Sequence, residues 1–119
     1  MTGREIFEKA LRMLGYIEQD GTVDSSLNYK ALTIINAVYA DIYFLLFKDG
    51  FMPLLSLSEK INLDERILHD VFPYGVAMHI SLGEGDGLNQ QVFTTIYNSK
   101  RCSINTLDTR SDILPSVSE

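Results

Sequence analysis

Few residues in this chain have the types and spacing for chemistry. They are His69 and His79, the lone Cys102, Asp41 within an apolar stretch, and the cluster Gly83-Glu84-Gly85-Asp86-Gly87. On one ideal helix the two histidines stand about 80° apart in rotation and ~15 Å apart along the axis, so they cannot share a metal ion. Glu65 precedes His69 by four positions, the spacing of a surface pair, and no His-Glu-x-x-His or His-x-Glu pattern exists. The glycine cluster carries acid where a phosphate loop needs lysine and open amides. It also lacks the alternating oxygen ligands and the twelfth-position Glu of a calcium loop. A tight reversal between two helices explains it, with Gly85 or Gly87 at positive φ and Asp86 capping the helix that follows. A single cysteine excludes an internal disulfide and a thiolate metal site. No serine or cysteine lies beside a base in a nucleophile motif. Asp41 has three readings: a functional carboxylate, an interface charge, or an acid paired with a backbone donor or a tyrosine hydroxyl, the last being preferred. The expectation is a non-enzyme with no catalytic, cofactor-binding or metal-binding residue, and no cofactor.

The elements that carry these residues read as helices. Thr2 and Glu5 have capping-box spacing, and Gly15 is a natural end for a helix over 3–14. Ile6, Phe7, Ala10, Leu11, Met13 and Leu14 share its inner face. The turn-rich Gln19-Asp20-Gly21-Thr22 leads to a capping Asp24, Ser25 or Ser26 and a long second helix to about Lys48. Leu27, Ala31, Ile34, Ile35, Val38, Ile42 and Leu45 form its core stripe, while Ala40, Tyr43, Phe44 and Phe47, with Tyr39 alongside, make the other side apolar. A helix apolar all round must be covered all round. Either the loop after Gly50 folds back over these rings, or a neighbouring subunit covers them. That candidate interface comprises Tyr39, Tyr43, Phe44, Phe47, Phe51, Met52, Leu55 and Leu57, with Ile113 and Leu114 as a second anchor on another molecule.

From Asp49 to Leu63 the helical period is lost. Leu55-Ser56-Leu57-Ser58 alternates like a short strand with nothing of its own to pair with, so its edge is either plain surface loop or filled by a partner chain. Asp64 caps a third helix, in which Pro73, with Gly75 behind it, gives a kink or a fresh start. A fourth helix from about Gly87 to Cys102 is expected to bury Leu88, Val92, Phe93, Ile96 and Tyr97. The polar, aperiodic remainder reads as a mobile tail. The expected fold is all-α: a small bundle of four to five helices with a long irregular loop between helices 2 and 3. Residues 1–102 make one domain and 103–119 a flexible C-terminal tail.

With 119 residues, 45% of them apolar and 22% charged, the chain has the composition of a globular domain. Its longest apolar runs, Ile42 to Phe47 and Phe51 to Leu55, fall short of a ~20-residue membrane span. The charged N-terminal segment lacks the apolar centre of a signal peptide, so a start in the cytoplasm and no membrane partner are expected. The net charge is −6, and only Lys100 and Arg101 among the ten basic residues are adjacent. Sequence-specific DNA binding would want a clustered positive face.

The N-terminal helix ending ALRMLG, the long aromatic second helix and the run DERILHDVFPYGVAMHISLGEGDGLNQQVFTTIYNSKR resemble the small helical head–tail connector proteins of tailed bacteriophages. These are also called head-completion or adaptor proteins, and the similarity spans roughly residues 4 to 101. The resemblance implies a ring of twelve copies under the portal of a phage or prophage capsid, in the virion neck. Its partners would be other copies, the portal protein, the next tail or adaptor protein, and DNA passing through the channel without sequence-specific contact. Family members often join the ring through loop and terminal segments, here Phe51 to Leu63 and the residues after Cys102. Unlike some members, this chain has no basic tail: Arg110 stands against Asp108, Asp112 and Glu119. The alternative is a small regulatory binding module of a bacterium or prophage, helix-turn-helix or antitoxin-like. Asp64-Glu65 and Asp70 on the third helix argue against that reading.

Overall fold

The computed structural model describes residues 1–17 and 25–117, with side-chain surroundings for 1–17 and 27–104. Five helices follow in order: α1 Gly3–Leu14, α2 Ser25–Leu46, α3 Glu65–Asp70, α4 Phe72–Gly83 and α5 Gly87–Val117. The fold is an all-α bundle. The 19–22 turn and the Asp24, Ser25 and Ser26 caps lie outside the described side chains.

Helix α1 forms where its end signals place it. Thr2 Oγ1 accepts from the Glu5 amide at 3.2 Å, and Glu5 Oε1 accepts from the Thr2 amide at 2.9 Å. Gly15 closes the helix at φ 76, a left-handed conformation that costs a side-chain-bearing residue free energy. Ile6, Phe7, Ala10 and Leu11 are fully buried on the inner face.

Helix α4 is the centre of the bundle, packed against α1, α2 and α5. Phe72, Pro73, Gly75, Val76, Ala77, Ile80 and Ser81 are all buried. Pro73 starts a new helix: the chain breaks at Val71, with φ −120 and ψ −52, and Pro73 falls in the first turn of α4. In an unbroken helix the residue 73 amide would bond to the His69 carbonyl, and proline has none to give. Lys9 Nζ from α1 donates to that carbonyl instead, at 2.9 Å. Gly75 serves packing and makes no kink. A Cβ there would come within 2.6 Å of Tyr97 Cε1 and 2.9 Å of Val38 Cγ1, so glycine is what lets α2, α4 and α5 meet.

The loop between α2 and α3 is tied to its own chain, which corrects the idea that its edge awaits a partner. Asn36 clamps the Leu54 backbone, with Nδ2 donating to the carbonyl at 3.0 Å and Oδ1 accepting from the amide at 2.8 Å. The N-terminus adds two more, Arg4 N–H donating to Leu57 O at 3.0 Å and Ile61 N–H to Met1 O at 3.0 Å, and the Glu59 carboxylate accepts from the Leu55 and Ser56 amides within the loop. Leu54 and Ile61 are buried beneath these bonds.

Helix α5 runs past its expected end near Cys102, its backbone helical to Val117. The Ile113 and Leu114 side chains lie outside the described residues. Over Leu27–Leu46, α2 has the length and mean hydropathy, 1.2, to cross a bilayer, although its unbroken apolar runs are short. In the bundle it packs Leu27, Ala31, Ile35, Val38, Tyr39 and Ile42 against its neighbours, and 28% of the apolar window is buried.

Gly75→Ala should destabilise the fold by about 1–3 kcal/mol through overpacking. Gly83→Ala, where an added Cβ meets nothing within 4 Å, should be neutral or slightly stabilising. Urea unfolding of the two variants checks the contrast.

Candidate functional site

The aromatic end of α2 divides into a covered and an open part. Tyr39 is 6% exposed, its ring 5.1 Å from Phe51 and 6.3 Å from Phe72, so it belongs to the chain's own core and leaves the candidate interface. Phe51 folds back as a partial lid, half-buried, with its ring 5.5 Å from Tyr43 and 5.6 Å from Phe44. Tyr43 is half-buried, 4.7 Å from the Phe47 ring, and its hydroxyl donates to the Asp49 carbonyl at 3.0 Å. Gly50, at φ 89, makes the sharp return that this contact needs. Leu57 is another correction: it packs inward, beside the place a Gly3 Cβ would occupy. What stays open is Phe44 at 56% exposure, Phe47 at 49%, Met52 at 78% and Leu55 at 85%. The loop covers part of the surface and leaves these four.

The inner face of α5 is narrower than periodicity suggested. Phe93, Tyr97 and Ile104 are buried, whereas Leu88 and Val92, expected to be buried, are exposed. The face is fixed by the Tyr97 ring against Gly75, which turns Leu88 and Val92 outward. In the preceding turn Gly85 holds the positive φ, 70, and Gly87 does not. Asp86 caps α5, accepting from the Asn89 amide at 3.3 Å and from Asn89 Nδ2 at 2.7 Å. It also accepts from the Tyr16 hydroxyl at 2.5 Å, tying the end of α1 to this turn. Burial and the bond to Asp86 push the Tyr16 hydroxyl up to about 12.

Asp41 is the polar centre joining α2 to α5. Its carboxylate accepts from Tyr97 Oη at 2.6 Å, Arg101 Nε at 2.8 Å and Arg101 Nη2 at 2.9 Å. The pairing with a tyrosine hydroxyl follows the sequence reading, but the forked Arg101 contact was missed. The available signal was Arg101 four residues after Tyr97, on the same face of one helix. Burial raises the Asp41 pKa, but the Arg101 and Tyr97 hydrogen bonds outweigh it and hold the carboxyl below its ordinary 3.8. Burial and the Asp41 bond push the Tyr97 hydroxyl far above its ordinary 10.0. Half-buried His79 on α4 is shifted down from 6.5 by burial, opposed by Asp41. A carboxylate held this way is ionised and occupied at neutral pH; it locks two helices and is no free base.

His69 and Glu65 form an exposed surface pair at 3.1 Å. Among the described residues no three His, Cys, Asp or Glu side chains gather where a metal ion could sit. No family model, curated protein or solved structure matches the chain.

The shifts of Asp41 and His79 have one sign. Each folded value lies below the unfolded one, so each contributes stability at higher pH that is lost on acidification. Unfolding free energy is expected to decline as pH falls below about 6.5, more steeply near 4, with His79→Gln removing the earlier part of the decline. Tyr97 acts oppositely, its contribution being lost as pH rises above about 10. Arg101→Gln should cost about 1 kcal/mol, because the pair is more than a third exposed and solvent screens it. Denaturant melts across pH measure both effects.

Proposed function

We propose that the protein is a structural adaptor of a tailed phage or prophage, assembling with further copies into a ring between portal and tail. The observation that carries this reading is the open aromatic surface at the end of α2. Phe44 on α2 and Phe47, Met52 and Leu55 on the loop that follows keep about half or more of their surface in water. Large exposed apolar groups on a globular chain mark interaction surfaces more often than lone ones do, and aromatics and methionine are enriched at interface cores. Rings generated by rotation need heterologous contacts, which a second, different apolar surface at Leu82 and Leu88 can provide.

The charge fits the same role. A net −6 with scattered cations suits a channel wall along which DNA slides, because phosphate contacts are avoided. The motif resemblance over residues 4 to 101 supplies the particular assembly, with the portal on one side and the tail or next adaptor on the other.

Phe44→Ala and Phe47→Ala should weaken assembly with modest cost to folding. Full burial would make each substitution cost about 3–5 kcal/mol; at half exposure less than about 2 kcal/mol is expected. Sedimentation of the chain alone and with cognate portal rings, beside thermal melts, reads the two effects. A wild-type chain that stays monomeric at high concentration and fails to join portal rings would overturn the adaptor role.

A further inference from the structure

Between α3 and the middle of α5 lies a half-open cleft of about 340 Å³. Its floor is aliphatic: Val71 and Ile104 are buried and Ile67 is partly so. Its rim is polar, with Arg66 from α3 and Ser99 and Lys100 from α5. Lys100 is already engaged, 2.9 Å from Asp70 and 4.8 Å above the Tyr74 ring. The Arg66 guanidinium has no ion-pair or hydrogen-bond partner among the described residues, and neither has the Ser99 hydroxyl. Two cations against Asp70 leave this cleft net positive on a chain of charge −6.

We propose that the cleft is a docking site for an acidic-aliphatic segment of a partner protein, an Asp or Glu beside a Leu or Ile. The aliphatic side chain would lie on Ile67, Val71 and Ile104, and the carboxylate would take the guanidinium fork of Arg66, which matches it with two parallel hydrogen bonds. Charge selects this class of occupant. An acidic partner is repelled by the rest of the surface and attracted here, so complementarity sets where it lands. The volume is at the small end for ligand sites and fits one or two side chains. Because the cleft is half open, a small free acid would bury too little of itself, whereas a peptide adds contacts along the rim. None of these residues belongs to the aromatic surface of α2, so the inference stands independently of ring assembly.

The test is a nitrogen-15 amide titration of the full chain with the blocked peptide acetyl-Leu-Asp-Ile-Leu-Glu-amide. Its neutral counterpart, acetyl-Leu-Asn-Ile-Leu-Gln-amide, and decanoate are the comparison probes. Saturable shifts at Arg66, Ile67, Ser99 and Ser103 with the acidic peptide alone are expected. In Arg66→Gln the affinity should fall about tenfold while the melting temperature holds, Arg66 being exposed. The proposal is overturned by no saturable shift, by equal shifts with the neutral peptide, or by undiminished binding to Arg66→Gln. Tighter binding of decanoate would make the site one for lipid acids, and peptide-free shifts that grow with protein concentration would give it to a second copy; either also overturns it.

Discussion

One helix has more apolar circumference than its described neighbours cover, and this constraint shapes the bundle. Helix α2 buries Leu27, Ala31, Ile35, Val38, Tyr39 and Ile42 toward α1, α4 and α5. Its far end adds Tyr43 and Phe44, with Phe47 just past it, and among the described residues Phe51 and the Gly50 return are what shields them. Burial of apolar area contributes roughly 25 cal/mol per Å², so rings left in water forgo stability that a partner can restore. The surface is thus a property of where the apolar residues sit on α2, with the loop acting as an incomplete lid.

The covered side is held in register by polar and steric devices at a few positions. Asp41 takes three hydrogen bonds from α5 and stops that helix from sliding along α2. Gly75 brings the Tyr97 ring against α4, placing the Tyr97 hydroxyl beside Asp41. Lys9 takes the carbonyl that Pro73 leaves unbonded, and Asn36 holds Leu54 as a neighbouring strand would. These contacts are part-buried or exposed, so each contributes modestly to stability and matters more for the geometry it specifies.

Local rules made much of this legible in the sequence. The capping box at Thr2, the Gly15 terminus, the helix restart at Pro73 and the cap at Asp86 each depend on a few adjacent residues. The misses were long-range. Periodicity placed Leu88 and Val92 inside because it reports a stripe's presence but not which neighbour fixes its direction. Leu55 to Ser58 looked unpaired because the Leu57 carbonyl bonds the Arg4 amide, more than fifty positions away, while the Leu55 and Ser56 amides bond the Glu59 carboxylate. Gly75 read as a bend because a sequence cannot display the Tyr97 ring that occupies the place of its missing Cβ. At the candidate site, Phe44, Phe47, Met52 and Leu55 are exposed. Tyr39 and Leu57 are not, since the bundle already uses them.

The central proposal is that the rings at the end of α2 are shielded by another protein and not by this chain. Fluorine NMR of the chain carrying fluorophenylalanine, with the Phe44 and Phe47 signals assigned by substitution, reports solvent contact ring by ring. The account predicts a clear H2O/D2O isotope shift for both rings in dilute protein, lost when the chain assembles with its own copies and cognate portal rings. Signals already shielded in the dilute monomer, or still solvent-exposed after assembly, would contradict it.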